Sequence, residues 1–176
     1  MNKNALIFHG TDCTPDEYWY EWIAEKLRQK WYTATVPYYP DINHENIDTF
    51  LPKVLSKHIF DSETVLIGHS AGAPLTLSIL EHIETQIAHA ILVAWFFEWT
   101  DPIIQTTYNW EKIKNNAKKI TIINSTNDPW GCDDIVGQKL QEKIGGDLVI
   151  KHEWHFGSWT YNQPYPTFEL LNQLIY

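Results

Sequence analysis

The chain contains a serine within Gly68-His69-Ser70-Ala71-Gly72, a pentapeptide that matches the pattern G-x-S-x-G. The apolar run Val65-Leu66-Ile67 comes before it and predicts a buried strand. Apolar residues after it recur at helical spacing, at Leu75, Ile79 and Ile83. A serine on a sharp strand-to-helix turn is typical of a nucleophile elbow, whose glycines avoid collisions with the neighbouring strand or helix. The pentapeptide alone is also a common turn composition, so the prediction depends on the strand and the helix around it.

Two histidines are candidates for the base that would activate this serine. A serine hydroxyl is a poor nucleophile until a base removes its proton, and an acidic side chain orients that base. On such a turn the acid and then the histidine follow the serine along the chain, and only His152 and His155 come after a plausible loop acid. We prefer His155, in the loop beyond the last predicted strand, to His152, which continues that strand. The alternative for each is a packed or surface histidine.

The predicted acid is Asp128, which lies on a turn directly after a predicted strand. A carboxylate at a strand end can meet the imidazole of a base that reaches over the same edge. Asp133 and Asp134 also follow this strand, but both are well placed to cap the next helix. Asp128 itself could instead be a turn former before Pro129.

Two backbone N–H groups are predicted to hold the oxyanion that a serine attack would create. One belongs to Ala71, the residue after the serine, and the other to Thr11, in the loop after the first predicted strand. The alternative is that the preceding Gly10 only permits a turn.

Several of the nine tryptophans fall in loops at the same predicted end of the sheet. We expect Trp95, Trp130 and Trp154 to form walls of a pocket for an apolar acyl or aryl group. The alternative is that such tryptophans pack the sheet edge and the bases of loops. Trp99 and Trp159 also fall in these predicted loops, and the same two interpretations apply to them.

No metal or cofactor is expected. The segment His152-Glu153-Trp154-His155 is one residue short of the zinc motif H-E-x-x-H, and it follows a strand instead of lying on a helix. Cys132 is not surrounded by an elbow, so we expect it to be a small buried or rim cysteine.

The elements that must position these residues alternate between strand and helix. Strands are predicted at 5–8, 33–36, 65–67, 90–94, 119–124 and 148–151, and helices at about 16–30, 46–57, 72–83, 110–116, 133–144 and 166–175. Pro52 predicts a late start or a kink in the second helix. This alternation predicts an α/β fold with a mostly parallel six-stranded sheet and helices on both faces. Ligands of such sheets lie outside the carboxyl ends of the strands.

Composition and charge limit the class of function. The 176 residues suit one domain, 1–176, and the net charge of −9 argues against nucleic acid or anionic membranes as partners. The apolar run before His9 is too short for a signal peptide, and the stretch 90–97 is far shorter than the ~20 residues of a membrane span. We therefore expect a cytoplasmic protein that acts on a small molecule. The sequence says nothing about protein partners.

Taken together, the motifs resemble the retinoblastoma-binding protein 9 family of small serine hydrolases over nearly the whole chain. The resemblance rests on the loop His9-Gly10 with Trp19 and Trp22, on 68–73, 110–114 and 125–129, and on His155-Phe156. It implies a compact α/β-hydrolase fold with a minimal cap and a catalytic triad at Ser70, Asp128 and His155. One departure is visible, because members usually carry glycine before the histidine and this chain has Trp154.

The expected activity is metal-independent hydrolysis of small carboxylic esters, and by the same chemistry of amides or thioesters, as in a carboxylesterase. Two alternatives stay open. Acyl transfer to an acceptor other than water would use the same residues. A hydrolase scaffold that has lost useful turnover and acts as a binding module is the other alternative, because the bulky Trp154 beside the base could reshape the acyl pocket.

Overall fold

Six strands and six helices alternate along the described residues, 3–97 and 101–175, in the computed structural model. The strands are β1 (Lys3–Phe8), β2 (Tyr32–Thr35), β3 (Val65–His69), β4 (His89–Val93), β5 (Ile120–Ser125) and β6 (Asp147–Lys151). The helices are α1 (Tyr20–Gln29), α2 (Ile47–Leu55), α3 (Gly72–His82), α4 (Trp110–Asn115), α5 (Asp134–Ile144) and α6 (Glu169–Leu174). Every predicted element is therefore present, with ends that differ by a few residues.

The strands form one parallel sheet in the order β2-β1-β3-β4-β5-β6. Strands β3, β4 and β5 are buried at every residue, so both faces of the sheet centre are covered. Helices α2 to α5 contact one another in sequence, and α1 packs against α6. The predicted parallel sheet with helices on both faces is confirmed, and all its strands end at the same edge.

Helix α1 begins later than the apolar spacing predicts. Tyr18 has a φ of 50°, in the left-handed region that a helix cannot include. Thr14 and Glu17 form a local turn instead, in which the Thr14 N–H donates to Glu17 Oε2 at 3.2 Å. The first helical turn therefore starts at Tyr20, next to the fully buried Trp19. Because α1 begins here, the side chains of Trp19 and Tyr20 lie close to the carboxyl edge of the sheet.

Helix ends elsewhere follow the signals in the sequence. Asp133 caps α5, because its carboxylate accepts a hydrogen bond from the Val136 N–H at 2.8 Å. Gly145 ends α5 with a φ of 70°. Helix α2 begins at Ile47, after an Asn46 side-chain cap, and continues through Pro52.

Among the described residues, no helix has both the length and the apolar character that crossing a membrane requires.

Candidate active site

Ser70 lies on a strained turn between β3 and α3. Its φ is 52°, in the left-handed region that non-glycine residues seldom adopt. The backbone N–H of Ser70 donates to the carbonyl oxygen of Val93 at 2.9 Å, which fixes the turn against the neighbouring strand β4. The serine side chain lines a cavity at the carboxyl edge of the sheet. This is the strand–turn–helix context that the motif predicts for a nucleophile elbow.

The two glycines of the motif are required by close backbone packing. A Cβ atom at Gly68 would lie 2.1 Å from the carbonyl oxygen of Gly72, and a Cβ at Gly72 would lie 2.3 Å from the carbonyl oxygen of Phe8. Both distances are far below any van der Waals contact. The predicted collision with the neighbouring strand and helix is therefore confirmed.

The loop after β1 lies directly against the elbow. A Cβ atom at Gly10 would be 3.2 Å from the Ser70 Cβ, so the loop backbone passes very close to the serine. Thr11, the next residue, lines the cavity. Within the described residues, the backbone N–H groups of Thr11 and Ala71 donate to no acceptor of the protein. Two donors are thus left for a ligand oxygen beside Ser70.

His155 and Asp128 are joined by a buried hydrogen bond. The His155 Nδ1 lies 2.8 Å from Asp128 Oδ2, and the two residues are 6% and 9% exposed. The other carboxylate oxygen of Asp128 accepts from the Trp130 N–H at 2.8 Å. Because the carboxylate accepts, Nδ1 carries the proton and Nε2 keeps the lone pair that a base needs. His155 also lines the cavity that Ser70 lines.

The backbone around His155 is strained and is held by hydrogen bonds. Trp154 and Phe156, on either side of it, have φ values of 52° and 56°. The Trp154 N–H donates to Asn127 Oδ1 at 2.9 Å, and the Trp19 indole N–H donates to the Phe156 carbonyl at 2.8 Å. We define residues 152–163 as the base loop. These bonds offset the cost of the two left-handed residues on either side of His155 in this loop.

The other acid and base candidates lie elsewhere. His152 is exposed, and its Nδ1 is 2.7 Å from the Thr126 hydroxyl. Asp133 caps α5, and Asp134 is the first residue of that helix. None of these three residues lines the cavity. The structure brings together Ser70, His155 and Asp128, and it keeps the alternatives apart from them.

The cavity has a volume of about 480 Å³ and partly aromatic walls. Trp130 lines it, as the sequence predicts, but Trp95 and Trp154 do not. Trp95 is only 3% exposed, because it packs into the core beneath the loops. Trp154 points outward, 43% exposed, with its ring centroid 5.6 Å from that of Tyr161. Trp99 lies outside the described residues.

Other cavity residues were not predicted as pocket residues. They are aromatic or polar side chains from three loops: Tyr18, Asn43, Phe96 and Asp101. Trp159, one of the loop tryptophans considered for the pocket, also lines the cavity. Asn43 has a φ of 66°, and nothing in its sequence context distinguishes it from an ordinary turn residue.

Burial controls the protonation of the other reactive groups near Ser70. Burial lowers the pKa of His69 to about 3, helped by the nearby His155. Burial also lowers the pKa of His9. The thiol of Cys13 lines the cavity, but burial raises its pKa to about 12, so it stays protonated and unreactive near neutral pH.

His155 and two neighbouring side chains form a group of donors of the kind that binds metals. Donor atoms of Asp128, Cys132 and His155 lie within 4.8 Å of one another, and these residue types bind Zn²⁺. Asp128 and His155 are already hydrogen-bonded to each other, so an ion bound through His155 Nδ1 would have to replace that bond.

Comparison with known proteins assigns the family. A family model described as "Serine hydrolase" matches residues 5–172. The chain belongs to the serine hydrolase family. The protein YdeN of Bacillus subtilis strain 168 is 25% identical to this serine hydrolase over 168 residues, which are 89% of this chain and 87% of YdeN. "Serine hydrolase RBBP9" of Rattus norvegicus is 26% identical over 138 residues, which are 72% of this chain and 73% of the rat protein.

Solved structures share the fold of this serine hydrolase. The crystal structure of the B. subtilis ydeN gene product superposes with a TM-score of 0.85 at 23% identity, covering 98% of this chain and 96% of the other. Est1E from Butyrivibrio proteoclasticus has a TM-score of 0.68 at 15% identity, covering 98% and 84%. The expected α/β-hydrolase fold is therefore confirmed.

Proposed function

We propose that this serine hydrolase cleaves small carboxylic esters through an acyl-enzyme, with Ser70, His155 and Asp128 as the catalytic triad. The Ser70 hydroxyl attacks the carbonyl carbon while His155 Nε2 takes its proton. His155 then gives that proton to the leaving alcohol, and water repeats the sequence to release the acid. Asp128 holds the imidazole in the required tautomer and stabilises its charged form. Amides and thioesters are accessible to the same steps.

The observation that carries the proposal is the buried 2.8 Å hydrogen bond between His155 and Asp128 at the wall of the cavity that Ser70 lines. Without a partner, a buried imidazole would resist the positive charge that it must carry after proton transfer. A carboxylate on Nδ1 lowers the cost of that charge and also leaves Nε2 as the basic atom. The three residue types, in this chain order, support serine hydrolysis over a role as a structural cluster.

The oxyanion hole is proposed at the backbone N–H groups of Ala71 and Thr11. Neither N–H has a protein acceptor among the described residues, and the close approach of Gly10 to Ser70 brings the two loops together. The start of α3 adds a favourable field for developing negative charge.

The cavity supports a small acyl or aryl substrate. A volume of about 480 Å³ fits a small ester, and Tyr18, Phe96, Trp130 and Trp159 provide apolar walls. We further propose that the chain acts as one domain and that its place within the family is with the RBBP9-like members. The shared motifs at the elbow and at the base support this placement.

The test is active-site labelling of a matched serine pair. The parent chain should react with a fluorophosphonate probe at Ser70 and should hydrolyse p-nitrophenyl acetate. The Ser70→Ala variant should lose the label and nearly all turnover, while Ser62→Ala, on a turn before β3, should keep both. Unchanged turnover in Ser70→Ala would refute the assignment. A folded parent chain that neither labels nor turns over would favour the binding-module alternative.

A further inference from the structure

Tyr20 and His69 form a buried chain of hydrogen bonds behind Ser70. The Gly10 N–H donates to the Tyr20 hydroxyl oxygen at 3.1 Å, and that oxygen lies 2.5 Å from His69 Nδ1. On the other side of the ring, His69 Nε2 lies 2.8 Å from the carbonyl oxygen of His155. Four chain segments thus meet in one line: the loop after β1, the start of α1, the elbow and the base loop.

The partners determine where each proton lies. The carbonyl of His155 can only accept, so His69 Nε2 must carry a hydrogen. A neutral His69 then has a bare Nδ1, which accepts the proton of the Tyr20 hydroxyl. The Tyr20 oxygen is left to accept from the Gly10 N–H. Every donor in the chain has one acceptor, and its direction runs from Gly10 to His155.

A charged His69 would break this chain. Both ring nitrogens would then donate, and the Tyr20 oxygen would receive two donors while its own proton lost its acceptor. The charge would also face His155, whose ring centroid is 5.1 Å away and which must itself become charged during the proposed reaction. The titratable groups that face His69 are His9, Tyr18, Tyr20 and His155, and Cys13 faces Tyr20. Burial keeps His69 neutral, because it lowers the pKa of this imidazole to about 3.

The carbonyl that His69 holds belongs to the proposed base itself. His155 is therefore fixed at two points, through its ring by Asp128 and through its backbone by His69. The second point is needed because Trp154 and Phe156 hold unfavourable left-handed conformations. At the other end, the Tyr20 hydroxyl fixes Gly10, one residue before the proposed oxyanion donor Thr11.

We propose that Tyr20 and His69 are positioning residues that hold the proposed oxyanion loop and the base loop at a fixed separation on either side of Ser70. This inference rests on the proposed function, because it assigns these hydrogen bonds a role in the proposed reaction. Neither side chain exchanges a proton with substrate. Their effect is on the alignment of the base and of the oxyanion donor, to which rates are sensitive at about 100-fold for a displacement of about 1 Å.

The first test compares two tyrosine variants that lose the same hydroxyl. Tyr20→Phe should lower kcat on the order of 10- to 100-fold, with KM near that of the parent, because the ring still fills the core. The matched control is Tyr39→Phe, which removes another tyrosine–histidine hydrogen bond, at 2.9 Å to His58 Nε2. Tyr39→Phe should keep the parent kcat. Equal kcat in Tyr20→Phe, Tyr39→Phe and the parent would overturn the proposal.

The second test follows His69 directly and needs no turnover. Nitrogen NMR of the parent histidines should show His69 with its proton on Nε2 and no titration between about pH 5 and 8, the range in which an unperturbed histidine changes charge. In Tyr20→Phe, His69 should begin to titrate at higher pH, because its neutral form loses the hydrogen bond that Tyr20 donates. A parent His69 that titrates with an ordinary midpoint would overturn the proposal, even if Tyr20→Phe does not fold.

Substitution of the histidine provides the rescue. His69→Gln keeps a donor at the distance of Nε2 and should retain more kcat than His69→Phe, which fills the space but has no donor. Equal kcat in the two variants would contradict the role of the His155 carbonyl bond. If the parent chain fails to label at Ser70, the proposed function fails. A labelled and active parent with a fully active Tyr20→Phe would contradict only the present inference.

Discussion

The elbow and the base loop bring their residues to the same cavity by different physical means. At the elbow, packing leaves no space, since a Cβ on Gly68 or Gly72 would overlap backbone atoms. In the base loop, Trp154 and Trp159 are 43% and 64% exposed, and specific hydrogen bonds hold a strained backbone. We therefore expect that any side chain added at Gly68 or Gly72 strongly destabilises the fold. The base loop should tolerate changes of side-chain size but not the loss of a hydrogen bond.

The largest effect is expected from one added methyl group at the elbow. Gly72→Ala places a Cβ 2.3 Å from the Phe8 carbonyl oxygen, and that oxygen belongs to a buried central strand that cannot move aside. We expect no folded, soluble protein, as measured by circular dichroism and size-exclusion chromatography.

Gly131→Ala is the matched control for this prediction. A Cβ at Gly131 would meet nothing within 4 Å, although its φ is 79°. The variant should fold, with a free energy of unfolding lower by about 1–2 kcal/mol from backbone strain alone. A stable, active Gly72→Ala would contradict the steric account of the motif.

The next effect is electronic and concerns Asp128, in the turn after β5, which holds the His155 ring of the base loop. In Asp128→Asn the side chain can still accept from the Trp130 N–H, so the fold should persist. Its amide favours the wrong tautomer of His155, and kcat should fall by about 10⁴. Asp133→Asn is the control, since asparagine caps helices as well as aspartate does, and its kcat should match the parent. A small loss in Asp128→Asn would remove this residue from the proposed triad.

Much of the scaffold could be predicted because its signals are local. The apolar runs without alternation mark β3, β4 and β5, which are buried throughout. The elbow follows from five consecutive residues together with the apolar run before them and the helical spacing after them. The order of acid and histidine after the serine, together with their positions in loops at strand ends, favoured Asp128 and His155. The structure joins these two by a hydrogen bond.

The hydrogen-bonded chain behind Ser70 could not be predicted, because its members are far apart in sequence. Tyr20 appears in the sequence only as an aromatic residue near the start of a helix, and it meets His69 across 49 positions. His69 comes before the serine, so the chain order that identifies the base excludes it. The pocket walls also depend on tertiary packing: Trp95 is buried beneath the loops and Trp154 points outward. A tryptophan in a loop carries no sign of which side its ring will take.

The smallest effect is expected at Trp154. At this position the retinoblastoma-binding protein 9 family, which the sequence resembles, usually carries glycine. Trp154→Gly removes left-handed backbone strain of about 1–2 kcal/mol. It also loses the ring contact with Tyr161 and increases the conformational entropy of the unfolded chain. Because these effects oppose each other, the free energy of unfolding should change by less than about 1 kcal/mol. Glycine keeps the backbone N–H that donates to Asn127, so the base loop should stay in position. We therefore expect kcat/KM to stay within about 10-fold of the parent.

Trp31→Gly offers a matched control for that change. Trp31 has a φ of 69° and is 89% exposed between α1 and β2, away from the cavity, so the variant relieves the same strain with no aromatic contact to lose in the base loop. Its activity should equal that of the parent, and its stability should be the higher of the two variants. If Trp154→Gly instead loses activity on the scale of Asp128→Asn while Trp31→Gly does not, the indole of Trp154 positions the base. The base loop would then depend on side-chain volume, as the elbow does, and the contrast between the two regions would no longer hold.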